Sequence, residues 1–136
     1  MYISARAEYA IRAMLALAVA HPDRVAAPAL AAREEISLAY LQAILLDLRR
    51  AGLLFNRRGV DGGYSLARPT DSITVGDILR ATGGALTSVR GEPAERATYG
   101  GAARGLSRVW LAVDAAIHDV LDRATLADVL ADKVSL

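Results

Sequence analysis

Cysteine is absent from the 136 residues. That absence excludes disulfides, thiol catalysis, zinc fingers and iron–sulfur clusters held by thiolates. Histidine is scarce as well. His21 and His118 fall on different predicted elements about a hundred residues apart, and no Ser–His–acid arrangement, nucleophile elbow or metal-ligand cluster accompanies them. The sequence therefore argues against an enzyme, and it calls for no metal and no cofactor. Long hydrophobic runs are missing too. The longest near the N-terminus, Ala13 to Ala20, has eight residues, too few to span a bilayer and without signal-peptide organisation. A soluble cytoplasmic protein with no membrane partner is the expectation. Lysine occurs once, against 15 arginines. Arginine is the better bidentate partner for phosphate and guanine, although GC-rich coding inflates it independently of function.

What remains is an ordinary folded composition. Apolar residues make up 54%, charged residues 23% and aromatics 5%, which excludes a disordered chain. The length suits one domain with an appended oligomerisation segment. Net charge is only +1, but it is unevenly spread. Residues 1–68 carry nine Arg against six acids; residues 69–136 carry six Arg and one Lys against nine.

The spacing predicts a helix from Ser4 to about Ala20, with Ile11, Met14, Leu15 and Ala18 inside. A short second helix should start around Pro28 and carry Leu30 inward to Glu34. Glu35-Ile36-Ser37 reads as a tight turn, with Ser37 capping a third helix from Leu38 to Ala51 that Gly52 stops. The period then changes. Residues 53–57 and 64–67 read as two strands around the glycine-rich turn 58–63, closed by Pro69. Thr74 and Asp77 have capping-box spacing for a fourth helix ending at Gly83-Gly84. Residues 85–105, with five Gly or Pro, are expected to be irregular. A long helix from Leu106 to Ala124 follows, and Thr125 with Asp128 opens a short last one.

Helix, turn, helix and two-stranded wing define a winged helix-turn-helix. The predicted fold is mainly α with a small β-hairpin wing: a DNA-binding domain over 1–84, a linker or sensor loop over 85–105, and a dimerisation helix with a short C-terminal helix over 106–136. In the third helix Leu38, Leu41, Ile44, Leu45 and Leu48 share a buried side, leaving Ala39, Gln42, Ala43, Leu46 and Arg50 on the other. Small residues admit base edges, Gln42 can pair bidentately with adenine, and Arg49 and Arg50 lie towards the phosphates. The alternative is a helix that packs in an all-α core with a solvated far side. Arg57 and Arg58 beside the glycine-rich tip suit minor-groove entry; the alternative is a plain hairpin with two solvated arginines.

The stretches SARAEYAIRAMLALA, ISLAYLQAILLDLRRAGLL, RRGVDGGYSLARP and ITVGDILRATGG resemble the Rrf family of bacterial winged-helix regulators. The match is nearly continuous over 1–84 and resumes in Val109-Trp110 and over 125–129. The resemblance implies a homodimer on double-stranded operator DNA, with the third helix in the major groove and the wing in the minor groove. By position it implies contacts from Ser37, Tyr40, Gln42, Arg49 and Arg58, with Gly62, Gly63 and Tyr64 shaping the wing. Some relatives carry Glu at Gln42 and Ser at Ala39, so their operator sequence does not transfer.

Leu106, Trp110, Val113, Ile117, Val120 and Ala124 recur at spacings of 4, 3, 4, 3 and 4, a heptad seam widened by Val109 and Leu121. Arg108, Asp114, His118, Asp119 and Asp122 fall mostly on the opposite face. A partner helix is the expected cover; packing on its own domain is the alternative. Many family members bind an iron–sulfur cluster through three cysteines before this helix. Here that stretch offers Arg90, Glu92 and Tyr99 among glycines, the candidate contacts for a small-molecule or protein effector. Glu8 stands where some relatives supply a non-cysteine ligand, and it is expected to pair with Arg12 one turn on. The reading is a homodimeric DNA-binding transcription regulator of the Rrf type without the cluster, acting as a repressor; the alternative is a winged-helix protein–protein interaction module without useful DNA affinity.

Overall fold

Ser4 has extended backbone and its hydroxyl accepts from the Ala7 N–H, which starts helix α1 (Ala5–Ala20). A computed structural model describes residues 1–135 of the chain. Helix α1 is central: it touches α2 (Ala27–Glu34), α3 (Leu38–Arg50), the second wing strand and the helices that start at Val75 and Leu126. Its inward stripe runs through Ala7, Ala10, Ala13, Met14, Leu17 and Ala18. Ile11 and Leu15, expected inside, are only partly buried, because the helix is enclosed along its small alanines, where neighbours approach closely.

Helix α2 begins one residue before the expected Pro28 and ends at Glu35 in the left-handed region, φ 55°. Ser37 then caps α3 by accepting from the Tyr40 N–H at 3.1 Å. Leu41, Ile44, Leu45 and Leu48 are fully buried. Leu38, expected with them, is 38% exposed at the start of the helix. Gly52, φ 79°, turns the chain into strand β1 (Leu54–Arg57), which pairs antiparallel with β2 (Gly63–Leu66). Leu54 faces Leu66 across this ladder and both are buried. Leu53 is buried but lies just outside the strand in which it was expected.

Helix α4 (Val75–Thr82) carries the expected capping box, Thr74 and Asp77 exchanging two 3.0 Å bonds. The segment 85–105 is more ordered than its composition suggests. Strands β3 (Ser88–Val89) and β4 (Glu92–Pro93) form a tiny hairpin, and Ala94–Arg96 and Gly101–Ala103 are single 3₁₀ turns. Arg90 and Gly91 both have positive φ, 52° and 80°, as a two-residue turn between right-twisted strands needs. An arginine in the first of those positions carries no turn signal, which is why the hairpin was hidden.

Helix α5 (Leu106–Asp122) has no buried residue along its 17 positions. The short α6 (Leu126–Ala131) starts with a second capping box. Thr74 and Thr125 form an antiparallel bridge, with Val75 N–H donating to the Ala124 carbonyl at 2.8 Å and Leu126 N–H to Ile73 at 2.9 Å. Helices α4 and α6 thus start side by side, and Leu126 is fully buried in the core with Met14 and Leu17.

Nor is the polar side of α5 simply solvated. Arg80 of α4 reaches Asp122 at 2.5 Å, His118 Nδ1 at 3.2 Å and Asp77 at 3.4 Å, and His118 lies 3.6 Å from Asp114. Gly76 makes the approach feasible: a side chain there would collide with the Asp122 carboxylate. Partial burial pushes Asp77 up, but its Thr74 partners, Arg80 and Arg68 together hold it below the ordinary carboxylate value. The hydrogen bond to Asp122 raises Arg80 further, against the opposing effect of its burial. Among the described residues no helix is long and apolar enough to cross a membrane.

Candidate nucleic-acid interface

The outer side of α3 is open. Ser37, Ala39, Tyr40, Gln42, Ala43, Arg49 and Arg50 are exposed, and Leu46 is half-buried. The Ser37 oxygen is occupied as a cap, but its hydrogen remains free to donate. Tyr40 is set by its edge contact with Tyr9, ring centroids 6.0 Å apart at 85°. Arg12 stacks over Tyr9 at 5.4 Å and pairs with Glu34 of α2 at 3.0 Å. The expected Glu8–Arg12 pair is therefore replaced by a pair across helices. Arg12 finds a largely enclosed carboxylate on α2, whereas Glu8 faces solvent.

In the wing, Arg57 and Arg58 are exposed and Val60 at the tip is fully so. Gly62, Gly63 and Tyr64 are half-buried and act through backbone. A side chain at Gly62 would strike the Arg57 carbonyl, and one at Gly63, φ 140°, would meet the Val25 carbonyl at 2.6 Å. Val25 and Tyr64 exchange N–H···O bonds of 2.9 Å in both directions. The segment before α2 thus adds a third edge to the wing, which local sequence patterns do not signal.

Arg6, Arg12, Arg68, Arg80, Arg96 and Arg123 are in ion pairs. Among the described residues the other nine have no acid within 4 Å: Arg49, Arg50, Arg57 and Arg58 on α3 and the wing, and Arg24, Arg33, Arg90, Arg104 and Arg108 elsewhere. Four unneutralised guanidiniums thus stand at the end of α3 and along the wing. Exposed cations without acid partners suit a polyanion.

Sequence reasoning missed Arg6. Its guanidinium donates to Asp47 of α3 at 2.6 Å, to the Thr82 carbonyl at 3.1 Å and to the Ala43 carbonyl at 3.4 Å. The partners are 37 to 76 residues away in sequence, so no local pattern could reveal them.

The residues singled out in the loop 85–105 do not share one set of contacts. Arg90 is exposed at the β3–β4 turn, Glu92 pairs with Arg96 at 3.4 Å, and the Tyr99 hydroxyl accepts from Trp110 Nε1 at 2.9 Å. On α5, Val113 and Val120 are exposed, while Leu106, Trp110 and Ile117 are half-buried. Ile117 and Leu121 rest against the small cluster of Ala7, Leu79 and Leu86.

A model of the family described as "Rrf2: Iron-dependent Transcriptional regulator" matches residues 3–132. A Mycobacterium tuberculosis protein whose name proposes an HTH-type transcriptional regulator is 43% identical over 130 residues, covering 95% of this chain and 81% of that protein. The HTH-type transcriptional regulator IscR of Cereibacter sphaeroides is 33% identical over 139 residues, covering 98% and 90%. Among solved structures, CymR, the global cysteine regulator of B. subtilis, superposes with a TM-score of 0.78 at 30% identity, covering 97% of this chain and 98% of that one. The iron named in the family's description does not fit the donors present. The chain has no cysteine, and no group of three or more His, Asp or Glu among the described residues could hold a metal ion.

Proposed function

The chain belongs to the Rrf2 family and is a DNA-binding transcription regulator, not an enzyme; on that premise we propose that it represses transcription as a homodimer on operator DNA. In this reading α3 enters the major groove, Gln42 reads a base edge between Ala39 and Ala43, and the wing tip enters the minor groove. Ser37, Tyr40, Arg49 and Arg50 fix α3 on the backbone, and Arg57 and Arg58 serve the wing. The observation that carries it is the position of four of the nine unpaired arginines, Arg49, Arg50, Arg57 and Arg58, flanking an outer face of small residues. A gel-shift on DNA upstream of the chain's own coding sequence tests it. Arg58→Ala should cost about 1–3 kcal/mol of binding with the fold intact, and Gln42→Ala should relax preference at one base position. Parent-like binding by both at matched salt would refute these contacts.

The homodimer is supported by what α5 leaves uncovered. Met1, Val113, Ala116, Ile117, Val120 and Leu121 line a groove of about 350 Å³ with no polar wall. A second α5, entering along Leu106, Trp110, Val113, Ile117 and Val120, is the cover of matching chemistry. Two half-sites then lie ~34 Å apart or a multiple of it, and both must be engaged for tight binding.

Regulation in this reading acts on the segment 85–105, through a small-molecule or protein effector contacting Arg90, Glu92 or Tyr99. The Tyr99–Trp110 bond supports it, because ordering the segment would move the dimer helix. Equal DNA affinity in aerobic and anaerobic preparations is expected; iron-containing protein that responds to oxidant would overturn it.

A further inference from the structure

Asp47 is the one acid on α3. It lies one turn from Ala43 and one turn from Arg50, at the margin of the face read as meeting DNA. A bare carboxylate there opposes phosphate. Arg6 neutralises it across a 2.6 Å contact, with 34% and 32% of the two side chains exposed. The same guanidinium donates to the Ala43 carbonyl on α3 and to the Thr82 carbonyl that ends α4, just before Gly83 and Gly84. A cation at the Thr82 carbonyl, the end of α4, is also favoured by the helix dipole.

We propose that the Arg6–Asp47 pair is a charge mask on the recognition helix that sets the ratio of specific to non-specific DNA binding. Arg6 cancels the carboxylate that would repel the backbone. Asp47, in turn, withholds Arg6 from acting as one more free phosphate-binding cation. With the pair intact, this margin of α3 contributes no net charge, and discrimination is left to Gln42 and the small residues around it. The inference rests on the reading of α3 as the DNA face.

The mask makes a prediction of sign that a purely structural pair does not. Removing either partner of a structural brace loosens α3, so both losses would weaken binding together. Removing either half of a mask shifts binding in opposite directions. Asp47→Asn frees a cation and leaves both of Arg6's carbonyl contacts available. Arg6→Met bares an anion.

The experiment uses the full chain, by fluorescence anisotropy on a random-sequence duplex and on the upstream duplex, from 50 to 200 mM salt. For Asp47→Asn the salt slope on random DNA should steepen by about one, giving about three- to four-fold more loss of affinity across that range. Random-DNA affinity at 50 mM should rise, so the preference for the upstream duplex should fall. Arg6→Met should weaken random-DNA binding with a shallower slope, Arg6→Lys should behave as the parent, and the double variant Arg6→Met/Asp47→Asn should return close to it. Thermal unfolding identifies any variant that fails to fold; if Arg6→Met does, the Asp47→Asn arm decides. The mask is overturned if both single variants move binding in the same direction, or if neither moves it while Arg58→Ala still weakens it. If Arg58→Ala and Gln42→Ala are also parent-like, the DNA face itself has been misread and the mask falls with it.

Discussion

Helices α1 and α5 are of nearly equal length, 16 and 17 residues, and both are rich in alanine and aliphatic side chains. Yet α1 buries six residues and α5 none. On α5, Val109, Leu111, Val113 and Val120 are 39–48% exposed, while on α1 Ala10, Ala13, Met14 and Leu17 are fully enclosed. Apolar content makes a helix want cover; only neighbours decide whether it has it. The N-terminal unit closes on itself through α1 to α4, the wing and the returning α6. Helix α5 is held to it by Arg80 on one side and Ile117 and Leu121 on another, with an apolar stripe left over.

The largest effect should come from the closed side of that contrast. Leu48→Ala removes a fully buried side chain from the center of the core, and denaturant unfolding should show a loss of about 2–5 kcal/mol. A loss under ~1 kcal/mol would mean that the core is looser than its burial indicates.

The open side should respond differently. Val113→Glu with Val120→Glu places two charges in the exposed stripe. These positions are cleaner probes than Ile117, which also packs on its own domain. Each surface change should alter the stability of the isolated subunit by no more than about 0.5 kcal/mol. Sedimentation should nevertheless show monomer at micromolar concentration where the parent is dimeric, and tight binding to the upstream duplex should be lost. A parent that sediments as a monomer would break the comparison, since α5 would then be an exposed helix with no partner.

The same contrast explains what the sequence made legible. Four helix starts could be read from Ser4, Ser37, Thr74 and Thr125 because each cap bonds an N–H three residues away. The wing was legible for the same reason: two strands and a glycine-rich tip are neighbours in sequence. The Val25 edge, the Arg6–Asp47 pair, Arg12's turn to Glu34 and Leu126's place in the core were not. Each joins residues 22 to over a hundred positions apart, where periodicity and spacing carry no information. For the candidate interface, residue types on one helix face could be anticipated, but which arginines stay free depends on acids brought in by other elements.

The smallest effect is expected at the seam between the two regions. Arg80 ties α4 to Asp122 of α5 while also contacting Asp77 in the α4 capping box. Both ion pairs are partly exposed, so Arg80→Met should cost only about 0.2–1 kcal/mol at neutral pH. Its pH dependence is more telling. Asp77 titrates below its ordinary value of 3.8 in the folded chain, where Thr74, Arg80 and Arg68 outweigh the cost of burial. A carboxylate held down by folding contributes stability above its unfolded value, and that contribution drains away as the pH falls through the folded value. The parent should therefore lose stability on the acid side of about pH 4 through this group, with no change between pH 6 and 8 from it. Asp77→Asn should flatten that acid limb, and Arg80→Met should flatten it in part, because Thr74 and Arg68 still favour the carboxylate. Thermal unfolding from pH 7 to pH 3 measures both. An acid limb identical in all three chains would show that Asp77 does not link the two regions energetically.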